Sequence, residues 1–354
     1  MLRKIISSGI AVSALNMAFA QDSLTKPTLT VSGSADVYYK YDFGKSPLNN
    51  FTSFTHSHNS FEPGMATVKF NYKTPKVELV TDLGFGKRAK EFSYTDDGIS
   101  AAIKQLYISY SPANWVKLTA GSWSTHVGYE VLDAYLNRNY SMSYMFTNGP
   151  FSHTGVKLEA SHGAHGLMVG IANPTDYKYV PEGFINKKAF IAQYSFIPGD
   201  FFKAYFNYVN SENIDTTKSK QYDVVLTSKF SDHFNLALNG TYNNTSVYLG
   251  NKEYDKNKNW WGSAIYLNYD ASSHFGLTLR EEYFSDKDGL KVFSASPIGG
   301  SIIASTLSAN FKLDNFTFIP EFRMDKASEF VFVDSHNIPT KTATNFLLAA
   351  IYQF

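Results

Sequence analysis

The sequence contains no cysteine. A disulfide framework, a thiol nucleophile and the thiolate-built zinc cages are therefore excluded. No segment after residue 20 holds about 18 consecutive apolar residues, the length a transmembrane helix needs. A charge of one sign is missing too, since 32 basic against 31 acidic side chains leave a formal net charge of +1. That balance offers no electrostatic footprint for nucleic acid. Arginine is scarce, and beyond residue 20 it stands only at Arg88, Arg138, Arg280 and Arg323. Serine, histidine and aspartate are scattered with no nucleophile motif among them, so no enzyme is expected. No cofactor or metal is expected either. His56 and His58 form a His-x-His in an early polar stretch, but no third ligand lies nearby, and exposed loop histidines are the expectation. Aromatics, by contrast, are abundant: 16% of the chain, with 29 Phe and 24 Tyr. Mean hydropathy is nevertheless negative. An apolar exterior, a wet interior and aromatic girdles produce that combination.

Met1 to Ala20 reads as a secretory leader. It has a short basic start (Arg3, Lys4), an apolar stretch from Ile5 to Met17, and a small-x-small ending, Ala18-Phe19-Ala20. No lipidation cysteine follows, which excludes a lipoprotein. The expected division is thus a leader at 1–20 and one barrel at 21–354.

The dominant period in that remainder is two. Tyr222, Val224, Leu226 and Phe230 alternate with Gln221, Asp223, Thr227 and Lys229. After Ser231-Asp232-His233 the alternation restarts, with Phe234, Leu236, Leu238 and Tyr242 against Asn235, Asn239, Thr241 and Asn243. This is a hairpin with one apolar and one polar face, and its arms have about the length that crosses a bilayer at a tilt. Six further hairpins turn near residues 74–76, 111–114, 162–165, 198–200, 271–273 and 314–315. The longer polar connections run near 43–63, 87–101, 124–151, 174–186, 211–219, 244–258, 287–300 and 328–341. With a first strand at Thr28–Tyr41 and a last at Thr342–Phe354, the count is about sixteen. Asn139–Thr147 and Glu329–Val333 also read as weak strands. The fold class is therefore all-β: a transmembrane antiparallel barrel of about 16 strands, with short periplasmic turns and long external loops. Closure of first on last strand leaves no edge, as lipid requires, and sixteen strands leave an aqueous lumen. Phe346, Leu348, Ala350, Tyr352 and Phe354 alternate to an aromatic terminus, which resembles the signal that bacterial barrel-assembly machinery reads.

From Leu118 to Glu159 the chain is similar to the OmpL-like β-barrel porins (porin type 2). Thr119-Ala120-Gly121-Ser122-Trp123 ends a strand and Gly128-Tyr129-Glu130 follows. Then come Asn139-Tyr140-Ser141-Met142-Ser143, Pro150 and His153-Thr154-Gly155-Val156. The resemblance implies a passive pore for small polar solutes in the outer membrane of a Gram-negative bacterium, in contact with its lipid. Large porins of this strand count are often homotrimers. The resemblance also implies that the third connection, 124–151, folds into the barrel and narrows it. His126, Glu130, Asp133 and Arg138 are its charged candidates.

On the wall, Arg280 shares a face with Thr278 and Glu282, and Arg323 shares one with Glu321 and Asp325. Both arginines are expected inside the lumen at similar height, about 10 Å apart with one strand between them. A charge facing lipid at mid-depth would cost about 2–4 kcal/mol. Lys69, Asp82 and Lys117 are expected on the same inner wall, with Asp36, Lys40, Glu78, Lys104, Lys157, Glu159, Lys203, Asp223, Lys229 and Lys312. A basic wall facing an acidic loop sets up a transverse field, while the mixture of signs predicts weak ion selectivity. Two other readings stay open. A channel specific for one ligand class, such as an oligosaccharide, would use Tyr38, Tyr107, Trp123 and Tyr205 as an inward aromatic slide. A barrel hydrolase of the outer membrane would need clustered catalytic groups near the rim.

Overall fold

Alternation sends successive side chains to opposite faces of a strand, and the segments that carry it close into one antiparallel sheet. The computed structural model describes residues 26–93, 95–251, 253–296 and 298–354. The leader expected at 1–20 lies outside the described residues. The strands are β1 (Thr28–Asp42), β2 (Ser60–Lys73), β3 (Val77–Phe85), β4 (Ile103–Ala113), β5 (Val116–Ser124), β6 (Ser152–His162), β7 (His165–Ala172), β8 (Ala189–Gly199) and β9 (Phe202–Glu212). They continue as β10 (Lys218–Lys229), β11 (Phe234–Gly250), β12 (Glu253–Asp270), β13 (Phe275–Asp286), β14 (Gly300–Leu313), β15 (Phe316–Ala327), β16 (Phe332–Val333), β17 (Pro339–Thr340) and β18 (Thr342–Gln353). β16 and β17 pair only with each other. The other sixteen form the closed barrel, each next to its sequence neighbour, with β18 between β15 and β1.

The seam is pinned by register, from Ser34 opposite Gln353 to Asp42 opposite Asn345. At its end the Gly33 and Phe354 backbones exchange two hydrogen bonds of 3.0 Å. A Cβ on Gly33 would lie 2.3 Å from the Thr67 carbonyl oxygen and 2.7 Å from the Phe354 ring. Only glycine permits that approach.

The apolar set faces outward and stays exposed, as at Val37, Phe70, Leu158, Phe206, Leu307 and Phe322. Tight turns alternate with long connections as expected, with two exceptions. The connection expected at 244–258 is not a loop: β11 and β12 continue to Gly250 and Glu253, and Tyr248 meets Tyr254 across the ribbon at 5.3 Å. The connection expected at 211–219 shrinks to residues 213–217, closed by the Asn213 N–H donating to the Thr217 carbonyl. A strand that runs past the bilayer needs no apolar face, so hydropathy alternation does not mark where it ends. The weak strand expected at Asn139–Thr147 is also absent. Its place is taken by an extended chain and a short helix, α2 (Tyr144–Asn148), capped by the Ser143 hydroxyl, which accepts from the Phe146 N–H. Glu329–Val333 contributes only β16, which is not a strand of the barrel sheet.

Apolar clusters stand inside the barrel. Phe54 from the first connection meets Ala89 and Phe92 (Phe92 ends helix α1, Lys87–Phe92), together with Leu132, Met142 and Phe151. Phe293 and Phe332, from the last two connections, meet Tyr144, Trp260, Phe284 and Ile302.

Candidate functional site: the inner wall and the third connection

Residues 125–151 lack alternation and have no strand to pair with. Asn137 knits part of the segment together. Its side-chain oxygen accepts from the Val131 N–H at 3.0 Å, and its amide donates to the Val131 carbonyl at 2.6 Å. Much of the remaining backbone is held by the wall. The Asp223 carboxylate on β10 accepts from the Gly128 N–H at 3.0 Å, and Asn239 on β11 accepts from the Tyr129 N–H at 3.3 Å. Glu321 on β15 accepts from the N–H groups of Tyr140 (2.8 Å) and Ser141 (3.1 Å). Glu282 on β13 accepts from those of Tyr144 and Met145, both at 2.9 Å. Carboxylates suit this role because each offers two oxygens and about four lone pairs.

Cations meet the segment's carbonyls and acids. Arg280 donates to Glu130 at 2.5 Å, to the Ser141 carbonyl at 2.8 Å and to Thr306 at 3.0 Å. Arg323 donates to the Met142 carbonyl at 2.7 Å and to Asp325 at 2.8 Å. Lys104 bridges Asp133 (2.5 Å) and Asp82 (3.2 Å). Arg138 pairs with Asp270 at the end of β12, at 2.5 Å. Two tyrosine hydroxyls add bonds, Tyr140 to Asp36 at 2.5 Å and Tyr144 to Asp325 at 2.8 Å. Each of the sixteen barrel strands presents an inward side chain no more than 5% exposed, among them Lys40, Asp82, Asn239, Arg280 and Leu347. Such burial is tolerable because nearly every charge has a partner.

A sequence model described as "Putative beta-barrel porin-2, OmpL-like" matches residues 28–354. The chain belongs to that family. Passive diffusion of small polar solutes through a barrel in the bacterial outer membrane follows from membership in this porin family. Solved structures agree on the fold. The outer membrane channel DcaP of Acinetobacter baumannii is 11% identical, with 94% of this chain and 99% of that one covered at a TM-score of 0.63. Pseudomonas putida OprB is 11% identical, with 93% and 94% covered at 0.61. An anion-selective porin from Comamonas acidovorans is 10% identical, with 93% and 100% covered at 0.57. No curated protein matches the chain.

Arg280 and Arg323 of this porin stand level, each opposite Thr306 of the intervening β14. Their partners divide. Arg280 takes Glu130 of the third connection, and Arg323 takes its strand neighbour Asp325. The charge opposition is thus made by contact. Asp133 and Arg138 reach Lys104 and Asp270. His126 lies apart from the arginines, against the Tyr208 carbonyl at 3.4 Å, and burial beside Lys157 pushes its pKa down to about 4. Lys69 faces Asp82 in register, while Lys117 pairs with Glu159 at 3.2 Å and shares it with Lys157. His56 and His58 take separate partners, Glu91 at 3.3 Å and the Asp42 N–H at 3.2 Å. Of the aromatic slide, Tyr38, Trp123 and Tyr205 are packed into apolar clusters. Only Tyr107 keeps partial exposure, so the arrangement does not favour an oligosaccharide path.

Two features escape sequence reading. Arg88 projects from α1 and donates to the carbonyls of Leu132 (3.1 Å) and Tyr140 (3.3 Å). Arginine scarcity was the available signal, but nothing local said where it would reach. Glu281 lies on the outer face between Leu279 and Tyr283 and accepts from Ser305 at 2.6 Å. Its neighbours Arg280 and Glu282 point inward, so alternation marks it as facing lipid.

Proposed function

We propose that residues 124–151 form the constriction of this porin and select small polar solutes by size with weak ion preference. His126, Glu130, Asp133 and Arg138 belong to the loop side. Arg280, Glu282, Glu321, Arg323, Asp325, Lys69, Asp82 and Lys117 belong to the wall side. One observation carries the reading: the Glu130 carboxylate reaches Arg280 on β13, eight strands on from β5, where the loop departs. A loop that stayed outside the barrel would not meet inward-facing residues of β10, β13 and β15. Acids and bases are paired along the route, which leaves little net field to sort cations from anions.

The chain performs no chemistry in this reading, and the buried acids Asp36, Asp223, Glu282 and Glu321 are taken up in bonds to the third connection. It is exported behind a leader removed at Ala20. Phe354 presents the terminal strand to the assembly machinery and then closes the seam against Gly33, and the finished barrel assembles as a homotrimer.

Liposome swelling with sugars of rising size tests the core of the proposal. The full chain is expected to give a smooth cut-off that moves to larger sugars when residues 128–147 are replaced by a short Gly/Ser linker. A single outlying sugar would indicate a specific channel. An unchanged cut-off would refute the constriction.

A further inference from the structure

We propose that the conformation described above is the closed state of the pore, and that Asp223, Glu282 and Glu321 are latches holding residues 128–145 across it. The proposal rests on reading the third connection as the constriction and goes further, from narrowing to closure.

A sixteen-strand barrel left to itself encloses a water channel. Here inward side chains on all sixteen strands are buried to 5% exposure or less at some level. The third connection supplies cover at Asp223, Arg280, Glu282 and Glu321, each of which bonds to a residue between 128 and 145. Where the loop meets the wall at Asp223, the local gap lined by Gly128, Met145 and Asn239 has a volume of about 10 Å³. That is room for one water, not for a solute.

The way the loop is held makes release physically reasonable. Five of its backbone N–H groups, those of Gly128, Tyr140, Ser141, Tyr144 and Met145, are satisfied by the three wall carboxylates. Water can replace a carboxylate at a backbone N–H once the segment lifts, so the exchange strands no donor. The three latches sit on β10, β13 and β15, within one arc of six neighbouring strands, and they are positioning residues for the permeation path. Replacing Glu by Gln keeps the shape. It leaves one accepting oxygen and turns an NH2 donor toward an N–H donor, so it works against the latched state in particular.

The test is single-channel recording of the full-length chain in planar bilayers. Heat-modifiable mobility on gels checks that every variant is folded. The wild type is expected to be silent for most of the record, with brief openings. The double variant Glu282→Gln with Glu321→Gln is expected to raise open time at least tenfold. Asn139 and Ser308 touch at 2.7 Å, and the chain has no other thiols. Asn139→Cys with Ser308→Cys, bridged by a short bis-maleimide whose two alkenes each add one thiol, should therefore return the double variant to silence. In the wild-type background the same bridge should remove the residual openings, which keeps the test valid if the double variant does not fold. A wild type that conducts steadily, unaltered by the bridge, would overturn the closed state. The constriction reading would survive that result if the Gly/Ser replacement of 128–147 still raised conductance, and it would fall with the latches if it did not.

Discussion

The contact between Glu130 and Arg280 offers the sharpest quantitative test. The side chains are 4% and 0% exposed and their charged atoms are 2.5 Å apart. Removing one partner of a buried pair costs about 3–5 kcal/mol, because the survivor remains desolvated without compensation. Glu282 stays on the same face as Arg280 and softens the loss, so Glu130→Gln should fall near the low end, at about 3 kcal/mol. Arg280→Gln should cost at least as much, since it also abandons the Ser141 carbonyl and Thr306. With both replaced, two neutral amides face each other and no charge is stranded. The double variant should therefore be less destabilised than the sum of the singles, with a coupling of about 2 kcal/mol. Urea unfolding in lipid vesicles, followed by tryptophan fluorescence, supplies all four corners of the cycle. Additive singles, or a Glu130→Gln variant within about 0.5 kcal/mol of wild type, would refute the view that this pair anchors the loop.

Gly33→Val should prevent seam closure, because its Cβ alone would meet the Thr67 carbonyl at 2.3 Å. The expected result is loss of the heat-modifiable folded band, and a normal folded yield would contradict it. His126 should make stability pH-dependent. Burial holds its folded pKa at about 4, while the unfolded chain binds that proton near 6.5. Its contribution is intact above about 6.5 and is lost as pH falls toward 4, by up to about 3 kcal/mol. Urea midpoints at pH 7.5 and pH 5 should therefore differ less in His126→Gln than in wild type. Glu281→Leu should stabilise the barrel by about 1 kcal/mol by removing a carboxylate from the lipid face, and a lowered urea midpoint would show that the bond from Ser305 outweighs the cost of that exposure.

The barrel was legible because alternation is a local property and lipid enforces it. Tyr222 to Phe230 suffices to name a strand and both of its faces. The level placement of Arg280 and Arg323 was legible for the same reason, since it follows from counting residues from two turns. Residues 244–258 were misread because β11 and β12 run on where no apolar face is required. The partners of the third connection were out of reach for another reason. Glu321 and Tyr140 are far apart in the chain, and no local pattern records that a carboxylate will meet a particular backbone N–H. Arg88 illustrates the same limit, since a short helix in one loop supports the carbonyls of another.

The wall's grip on the third connection also fixes an order of folding. Asp223, Asn239, Glu282 and Glu321 all follow residues 125–151 in the chain, so the segment exists before most of its anchors do. It has to wait, solvated, until β10 through β15 are in place. During refolding, circular dichroism should report a complete sheet while a protease still cuts between residues 128 and 145, with protection arriving as a separate, later phase. The loop's sequence is in this sense written for a wall that is not yet there. Transplanted into another sixteen-strand barrel without those four side chains, it would have nothing to settle against.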